Sequence, residues 1–202
     1  MNSTIDKKIV LVGGGGHCKA VIDVIVKEGV FKIEGILDPE KKVNEKILGY
    51  PILGSDEKIP NLAQKGYYFL VTIGQIKTPQ IRMDLFNYIK KHTDKIATVI
   101  SPLAYVSPFA NIAEGTIVMH HAVVNISASI GQNCIINTKA LIEHDACIEE
   151  HCHISTGAII NGGSRVKKGT FFGSGAVSKE YVETKEFDFI KAKTLFKGYN
   201  NE

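Results

Sequence analysis

The chain has 202 residues, of which 44% are hydrophobic and 22% charged, a composition that supports a sizeable core in one or two domains. Its 24 basic and 21 acidic residues leave a net charge of +3 without a basic run, so we expect no nucleic-acid partner. The sequence contains no stretch of about 18 apolar residues and no signal peptide, which predicts a cytoplasmic protein without a membrane span.

The first predicted element is a strand at residues 8–12, which runs into four consecutive glycines, Gly13 to Gly16. Apolar residues at helical spacing between positions 20 and 25 predict a helix directly after them. Glycines let a backbone approach a phosphate closely, and a helix N-terminus offers free N–H groups to an anion. The dinucleotide-binding fingerprint is incomplete, because its last glycine would fall on Cys18. A tight turn that binds nothing is the alternative interpretation.

Two further strands are predicted, one at residues 33–37 that ends at Asp38 and one at residues 67–73 that ends at Gly74. In open parallel sheets, ligands bind beyond the carboxyl ends of the strands. Asp38 is therefore placed to meet the ribose or base of a nucleotide, although a solvated turn residue before proline is equally consistent with the spacing.

A helix is predicted from about residue 79 to residue 91, with three aliphatic residues on its buried face, Ile81, Leu85 and Ile89. The alternation of strands and helices over residues 8–99 predicts a small parallel sheet. Residues 1–99 are thus expected to form a βαβ, Rossmann-like domain.

The longest pattern in the chain is a six-residue repeat. Reading every sixth residue from position 100 gives thirteen large apolar residues, Ile100, Val106, Ile112, Val118, Val124, Ile130, Ile136, Ile142, Ile148, Ile154, Ile160, Val166 and Phe172. The residue four positions after each of them is always small. A six-residue period predicts a parallel β-helix in which three hexads close one coil, so that residues eighteen apart lie above one another. We place this β-helix at residues 100–178.

The remaining segment, residues 179–202, is expected to pack as a helix or cap over the open end of the solenoid. Two of the four cysteines, Cys134 and Cys152, occupy inward-facing small positions of the repeat, where cysteine acts as a small hydrophobe. We therefore predict free thiols and no metal site.

Of the histidines in the repeat, His120, His121 and His151 occupy turn positions and are expected to be exposed. His144 is also a turn residue, but Asp145 follows it and Gly162 lies one coil further on. A carboxylate can fix the imidazole tautomer, and a backbone N–H on the next coil can hold an oxyanion. This combination suits acyl transfer, whereas an exposed histidine of an inert scaffold is the alternative interpretation.

The run IINTKALIEHDACIEEHCHISTGA, the GGGGH turn and the strand ends ILD and TIG resemble one bacterial family, the left-handed β-helix sugar acyltransferases. This family includes sialic acid O-acetyltransferases and N-acetyltransferases of UDP-4-amino-dideoxy sugars. The resemblance covers residues 8 to about 177. It implies a left-handed coil, acetyl-CoA as donor, and a homotrimer with active sites between neighbouring β-helices. Relatives usually continue for another coil that ends in a glycine-x-proline-alanine segment, which is absent here.

By motif match, the resemblance implies that His144 is the general base, that Asp145 orients it and that the Gly162 N–H is the oxyanion donor. It further implies an acceptor site formed by Gly14, Gly15, Gly16, His17, Asp38, Gly74 and Asn137. The implied donor-site residues are His153, Gly157, Ala158, Gly162, Gly173 and Ser174.

The expected activity is acetyl-CoA-dependent N-acetylation of an amino group on a nucleotide-linked amino-deoxy sugar, as a step of surface polysaccharide or glycan biosynthesis. One alternative is O-acetylation of a sialic-acid-like sugar by the same machinery. An alternative of another class is a non-catalytic scaffold that binds a nucleotide sugar. Turnover of acetyl-CoA separates the two enzymes from the scaffold.

Overall fold

The structure, a computed structural model, describes residues 7–199 as an α/β sheet domain followed by a solenoid of short parallel strands. The N-terminal sheet has the strand order β3-β4-β2-β1-β5. Its strands are β1 (Lys8–Val12), β2 (Lys32–Leu37), β3 (Lys46–Ile47), β4 (Tyr50–Gly54) and β5 (Tyr68–Val71). They pair in parallel except for the antiparallel hairpin of β3 and β4.

Three α-helices accompany this sheet, α1 (Gly16–Glu28), α2 (Ile59–Gln64) and α3 (Gln80–Lys90), with a 3-10 turn at Asp56–Lys58 before α2. The predicted strand, glycine turn and helix are confirmed, as are the second and third strands and the helix near residue 80. The β3–β4 hairpin and α2 were not predicted, because strands of two and five residues and a helix of six residues carry little periodicity.

The predicted buried face of α3 is partly wrong. Ile89 is buried, but it shares its face with Phe86 and Arg82, whereas Ile81 is 60% exposed. Phe86 and Ile89 pack into the core beside β5, which rotates Ile81 towards the cleft at the strand ends and turns Arg82 towards the solenoid. Apolar periodicity could not reveal this rotation, because the face includes an arginine.

The solenoid has three faces, each a parallel sheet. The first face contains β6 (Val99–Ile100), β9 (Ile117–Val118), β12 (Ile135–Ile136), β15 (His153–Ile154), β18 (Phe171–Phe172) and β20 (Phe189–Ile190). The second face contains β7 (Tyr105–Val106), β10 (Val123–Val124), β13 (Leu141–Ile142), β16 (Ile159–Ile160), β19 (Val177–Ser178) and β21 (Leu195–Phe196). The third face contains β8 (Asn111–Ile112), β11 (Ser129–Ile130), β14 (Cys147–Ile148) and β17 (Arg165–Val166).

Strand partners are eighteen residues apart throughout, as in the pairing of Ile136 with Ile154, so the predicted coil length is confirmed. The coil is left-handed, an exception to the usual right-handed crossover of parallel strands. The second residue of each strand points inward and forms one continuous core with the small residues of the repeat. Cys134 and Cys152 are free thiols that are fully buried in this core, which confirms their predicted inward positions.

The prediction of a separate cap after residue 178 is wrong, because the solenoid continues. Strand β20 pairs with β18, and β21 pairs with β19. The inward positions of this extra coil are Ser178, Thr184, Ile190 and Phe196, all of which are buried. The two hydroxyl residues obscure the apolar repeat, yet they fit inside because their oxygens accept hydrogen bonds from the backbone N–H groups of Asn161 and Lys167.

The first face of the solenoid packs against the N-terminal domain. Val99, Ile117 and Met119 share a core with α1 and the sheet. This packing fixes the position of the glycine turn between β1 and α1 relative to the solenoid, and it leaves the second and third faces uncovered.

Candidate active site

His144 lies on the edge between the second and third faces, two residues after β13. Its Nδ1 is 2.8 Å from a carboxylate oxygen of Asp145, and because a carboxylate only accepts, Nδ1 carries the proton and donates it. The ring therefore keeps its Nε2 lone pair free. The pKa of His144 is raised above its usual value, mainly by the hydrogen bond to Asp145.

The imidazole of His144 lies directly against the Cα of Gly162 on the next coil. A Cβ at position 162 would be 2.8 Å from both Cε1 and Nε2 of His144. Within residues 7–199, no hydrogen bond engages the Gly162 N–H. The carboxylate of Glu143 accepts from the His144 N–H and from the Asn125 side chain, which anchors the turn that carries the histidine.

A second group of polar residues lies where the first face meets the N-terminal domain. His153 donates from Nδ1 to the Gln75 carbonyl oxygen at 2.7 Å and accepts at Nε2 from the Asn137 side-chain amide at 3.0 Å. Its ring centroid is 6.5 Å from that of His17, and His17 in turn lies beside Gly74. The structure thus brings the predicted residues His17, Gly74, Asn137 and His153 together.

Both histidines of this group are neutral near physiological pH. The pKa of His17 is lowered to about 3 and that of His153 to about 4, in both cases mainly by burial. The Nε2 atom of His17 is buried without a hydrogen-bond partner among the described residues. An unpaired buried nitrogen of this kind is a natural contact for a bound polar ligand.

A cleft of about 520 Å³ opens at the carboxyl ends of the central strands, where ligands bind in open parallel sheets. Asp38 lies in its wall and accepts from the N–H groups of Gly14 and Glu40, so this carboxylate also holds the glycine turn in place. Asp56 and Asp84 line the same cleft. Carboxylates accept from the O–H and N–H groups of a ribose or base.

On the other side of the glycine turn, a smaller cavity of about 400 Å³ is lined by Gly14, Gly15 and Gly16 with three lysines, Lys19, Lys41 and Lys46. The turn leads into α1, whose first N–H groups are free of intrahelical partners. Together, the amides and ammonium groups form a site suited to an anion.

Within a single copy of the chain, the predicted catalytic and binding residues do not all lie close to one another. His144 follows the second face along the chain, whereas Asn137 precedes it, between β12 and β13. The two residues therefore lie on opposite edges of the second face, with its width between them. We call these the His144 edge and the Asn137 edge.

The implied donor residues differ in accessibility. Gly157 has open space around its Cα, but the Ala158 methyl is fully buried in the solenoid core, so only its backbone could face a ligand. Gly173 is covered by the last coil, where a Cβ would be 2.5 Å from the Ala192 nitrogen. The hydroxyl of Ser174 lies 2.8 Å from that of Ser155.

Two histidines expected to be exposed are not. His151 is 3% exposed and interacts with the Asn133 side-chain amide, and burial lowers its pKa to about 4. His120 bridges the two domains, since its ring nitrogens contact Ser101 and Asp23. Sequence reasoning also missed Arg82 and Gln75, which connect the domains, because polar residues at buried positions give no apolar signal.

Among residues 7–199, no group of three or more His, Cys, Asp or Glu side chains is arranged to hold a metal ion. None of the helices described here is long and apolar enough to cross a membrane.

Comparison with known proteins supports the description of the N-terminal domain and that of the solenoid. Residues 8–89 match the family model of the PglD N-terminal domain. The structure is similar to the acetyltransferase domain of PglB from Neisseria gonorrhoeae, with a TM-score of 0.89 and 27% identity over 96% of this chain and 92% of that one. That domain is also known in complex with acetyl coenzyme A.

A second similar structure is a histidine-to-asparagine mutant of perosamine N-acetyltransferase from Caulobacter crescentus, in complex with CoA and GDP-perosamine. Its TM-score is 0.68 at 27% identity, over 94% of this chain and 93% of that one. These similarities confirm the resemblance to the left-handed β-helix sugar acyltransferases.

A curated relative, an uncharacterised protein of Acanthamoeba polyphaga mimivirus, is 29% identical over 120 residues. The chain spans 23% of the length of that relative, and the match covers 59% of this chain.

Proposed function

We propose that this chain, which has the fold of the left-handed β-helix sugar acyltransferases, is an acetyl-CoA-dependent N-acetyltransferase acting on the amino group of a nucleotide-linked amino-deoxy sugar. The observation that carries the proposal is the arrangement of His144, Asp145 and Gly162. It combines an oriented base with a backbone N–H on the next coil, and neither the Nε2 of the base nor this N–H has a hydrogen-bond partner among residues 7–199. The complexes of similar proteins with acetyl coenzyme A and with CoA and GDP-perosamine support the choice of substrates.

In the proposed reaction, the acceptor nitrogen attacks the thioester carbonyl carbon and a C–N bond forms. His144 takes the proton from the amine at Nε2, while Asp145 stabilises the resulting imidazolium. The carbonyl oxygen becomes an oxyanion that accepts a hydrogen bond from the Gly162 N–H. When the intermediate collapses, the C–S bond breaks, and the thiolate of CoA takes the proton back from His144.

The acceptor is proposed to bind across the glycine turn. The amides of Gly15 and Gly16, together with Lys19, would hold its phosphates, because free N–H groups and cations attract an anion. Asp38 would accept from a ribose or base in the adjoining cleft. This arrangement directs the sugar towards the Asn137 edge of the solenoid.

We propose that the complete site forms between two copies of the chain. Each copy carries the base on its His144 edge and the polar group of His17, Asn137 and His153 on its Asn137 edge. In a ring with three-fold symmetry, contacts are heterologous, so one edge of the second face meets the opposite edge of a neighbour. A homotrimer therefore joins the two half-sites, as the family resemblance also implies.

The outward side chains of the second face support this assembly. They are all apolar and at least partly exposed: Tyr105, Val123, Leu141, Ile159, Val177 and Leu195. The corresponding positions on the third face are mostly polar or charged: Asn111, Ser129, Cys147, Arg165 and Glu183. An exposed apolar stripe along the whole solenoid is typical of a protein interface.

The proposal is tested with purified protein, acetyl-CoA and a panel of UDP-, GDP- and CMP-linked amino sugars, with thiol release followed over time. We expect release that depends on one amino-sugar nucleotide and on His144. Release with only a hydroxyl acceptor would replace the proposal with O-acetylation. No release with any acceptor, together with nucleotide-sugar binding, would favour the non-catalytic scaffold.

A further inference from the structure

Arg82 is a buried cation that has no acidic partner among its described contacts. Its side chain is 1% exposed. Its Nη1 donates to the Gln75 side-chain oxygen at 2.9 Å, and its Nη2 donates to the backbone and side-chain oxygens of Asn133 at 2.6 Å and 3.2 Å. All of these acceptors are neutral. Burial lowers its pKa to about 10, so the group remains charged at neutral pH.

Buried charges are rare unless they are paired, because removing an ion from water is costly. A neutral side chain could pack between the domains at lower cost. The retained charge therefore points to a role beyond packing, and the hydrogen bonds of Arg82 show where that role lies.

The contacts of Arg82 lead directly to the Asn137 edge. Gln75, which accepts from Arg82, also donates from its side-chain amide to the Gly169 carbonyl at 3.0 Å, so both ends of this side chain are fixed. The backbone oxygen of the same glutamine accepts from Nδ1 of His153. The Nε2 of His153 then accepts from Asn137. Gln75 thus connects the buried guanidinium to His153, and His153 connects it to Asn137.

The hydrogen bond from His153 to the Gln75 carbonyl raises the pKa of this histidine, whereas the charge of Arg82 lowers it. Burial is the largest cause of the lowered pKa of His17, His151 and His153, and the charge of Arg82 is a smaller cause of the same shift. Of the titratable groups around His153, Arg82 from α3 favours its neutral form, and His17 from α1 is itself neutral. A neutral His153 that donates at Nδ1 has an Nε2 that can only accept, whereas a protonated ring would repel the amide of Asn137.

We propose that Arg82 is a positioning residue for the acetyl donor: through Gln75 it fixes His153 with its Nε2 as a hydrogen-bond acceptor in the acyl-transfer pocket. The proposal rests on the function proposed above and on the place of His153 in the donor site that the family resemblance implies. Arg82 itself is buried and touches no substrate.

Three variants separate the effect of the hydrogen bonds of Arg82 from the effect of its charge. Arg82→Met removes both the charge and the hydrogen bonds at similar volume. Arg82→Lys keeps the charge but loses the planar fork. Gln75→Leu keeps Arg82 and the backbone carbonyl that binds His153, but it removes the side-chain amide that connects this carbonyl to Arg82 and Gly169. CoA affinity is measured by calorimetry, and the His153 tautomer and protonation are followed by the ring nitrogen chemical shifts in NMR spectra.

We expect Arg82→Met and Gln75→Leu to weaken CoA binding about tenfold, the usual effect of one lost buried hydrogen bond, with a smaller effect on the acceptor Michaelis constant. Loss of the cation also raises the pKa of His153, so as the pH falls CoA binding to Arg82→Met should weaken at a higher pH than binding to the wild type. Gln75→Leu and Arg82→Lys, which keep a cation, should lack this pH dependence. Adding His153→Asn to Arg82→Met should abolish it.

The proposal is overturned if Arg82→Met, folded and with a wild-type thermal transition, binds CoA as the wild type does and with the same pH dependence. Should that variant fail to fold, Gln75→Leu decides, because unchanged CoA affinity with unchanged His153 nitrogen shifts also overturns the proposal. Failure of the proposed function looks different. The wild type would then release no thiol with any acceptor, while the nitrogen shifts would still report how Arg82 affects His153.

Discussion

At the scale of single residues, His144 and Gly162 are in such close contact that a substitution at Gly162 can move the imidazole while leaving the histidine itself in place. Gly162 has ordinary backbone angles, so alanine is allowed there, but its Cβ would be 2.8 Å from the imidazole. We expect Gly162→Ala to fold normally and to lower turnover about 10- to 100-fold, because a small displacement of a catalytic group is costly. In a His144→Ala background, the same change should have no further effect on turnover.

Removal of the base itself is the second prediction. The His144 side chain is 51% exposed, so its loss leaves no core cavity. We expect His144→Ala to fold and assemble normally and to lose about 100-fold or more in turnover, the usual range for a general base. Asp145→Asn should cost less, since it affects orientation and basicity only.

The matched control for this variant is His121→Ala. His121 is an exposed turn residue of the solenoid, whereas His120 connects Ser101 and Asp23 and would report on domain packing. An inactive His121→Ala beside an active His144→Ala would show that the base lies on another edge of the solenoid.

The pH dependence of the reaction gives the third prediction. His144 acts as a base in its neutral form, so kcat/KM should rise with pH as the imidazole loses its proton. Because Asp145 raises the pKa of His144, the midpoint should lie above the usual histidine value. In Asp145→Asn this midpoint should move to lower pH. An unchanged midpoint in that variant would mean that another group titrates.

At the scale of elements, the four glycines between β1 and α1 are not equivalent. Gly13 has a positive φ of 103°, and a side chain there would collide with Ile73. A Cβ at Gly14 would be 2.9 Å from an Asp38 oxygen. Gly15 and Gly16, in contrast, face open space and have ordinary backbone angles. The first two glycines are explained by the fold, and the second two leave room for a ligand.

The fourth prediction follows from this difference. Gly15→Val places a side chain in the open space, so the fold should not change, whereas a bound phosphate would be displaced. We expect the acceptor Michaelis constant to rise much more than that of acetyl-CoA. Equal effects on both constants would indicate a purely structural turn.

At the scale of the whole molecule, the fifth prediction concerns assembly. Light scattering should give about three times the chain mass of 22.1 kDa. Ile159→Asp, on the apolar second face, should dissociate the trimer, because a charge cannot be buried unpaired at low cost. Asn111→Asp, at the outward position of the first strand of the third face, is the control. A monomeric wild type would exclude the shared site.

A shared site also allows complementation. His144→Ala and Asn137→Ala should each be nearly inactive alone. When the two are co-expressed in equal amounts, about a quarter of the sites pair an intact His144 with a neighbour's intact Asn137 if subunits assemble at random. Recovery of activity to about that level supports a site between chains, whereas no recovery would mean that each chain contains its whole site.

Much of the fold and part of the candidate site follow from the sequence, because the patterns that indicate them lie within short segments. The hexad repeat determined the coil length and the inward residues, and the glycine turn after an apolar run determined the first βα unit. The pairing of His144 with Asp145 and Gly162 also followed, since residues eighteen apart must lie on adjacent coils.

What only the tertiary structure decided depends on contacts between distant segments. The extra coil of residues 179–199 was hidden because Ser178 and Thr184 interrupt the apolar repeat, and only their backbone partners make them acceptable inside. The placement of Arg82 against Gln75 depends on how α3 docks on the solenoid, as does the burial of His151. Docking of this kind is set by shape and hydrogen bonding across the two domains, which no periodicity within one of them records.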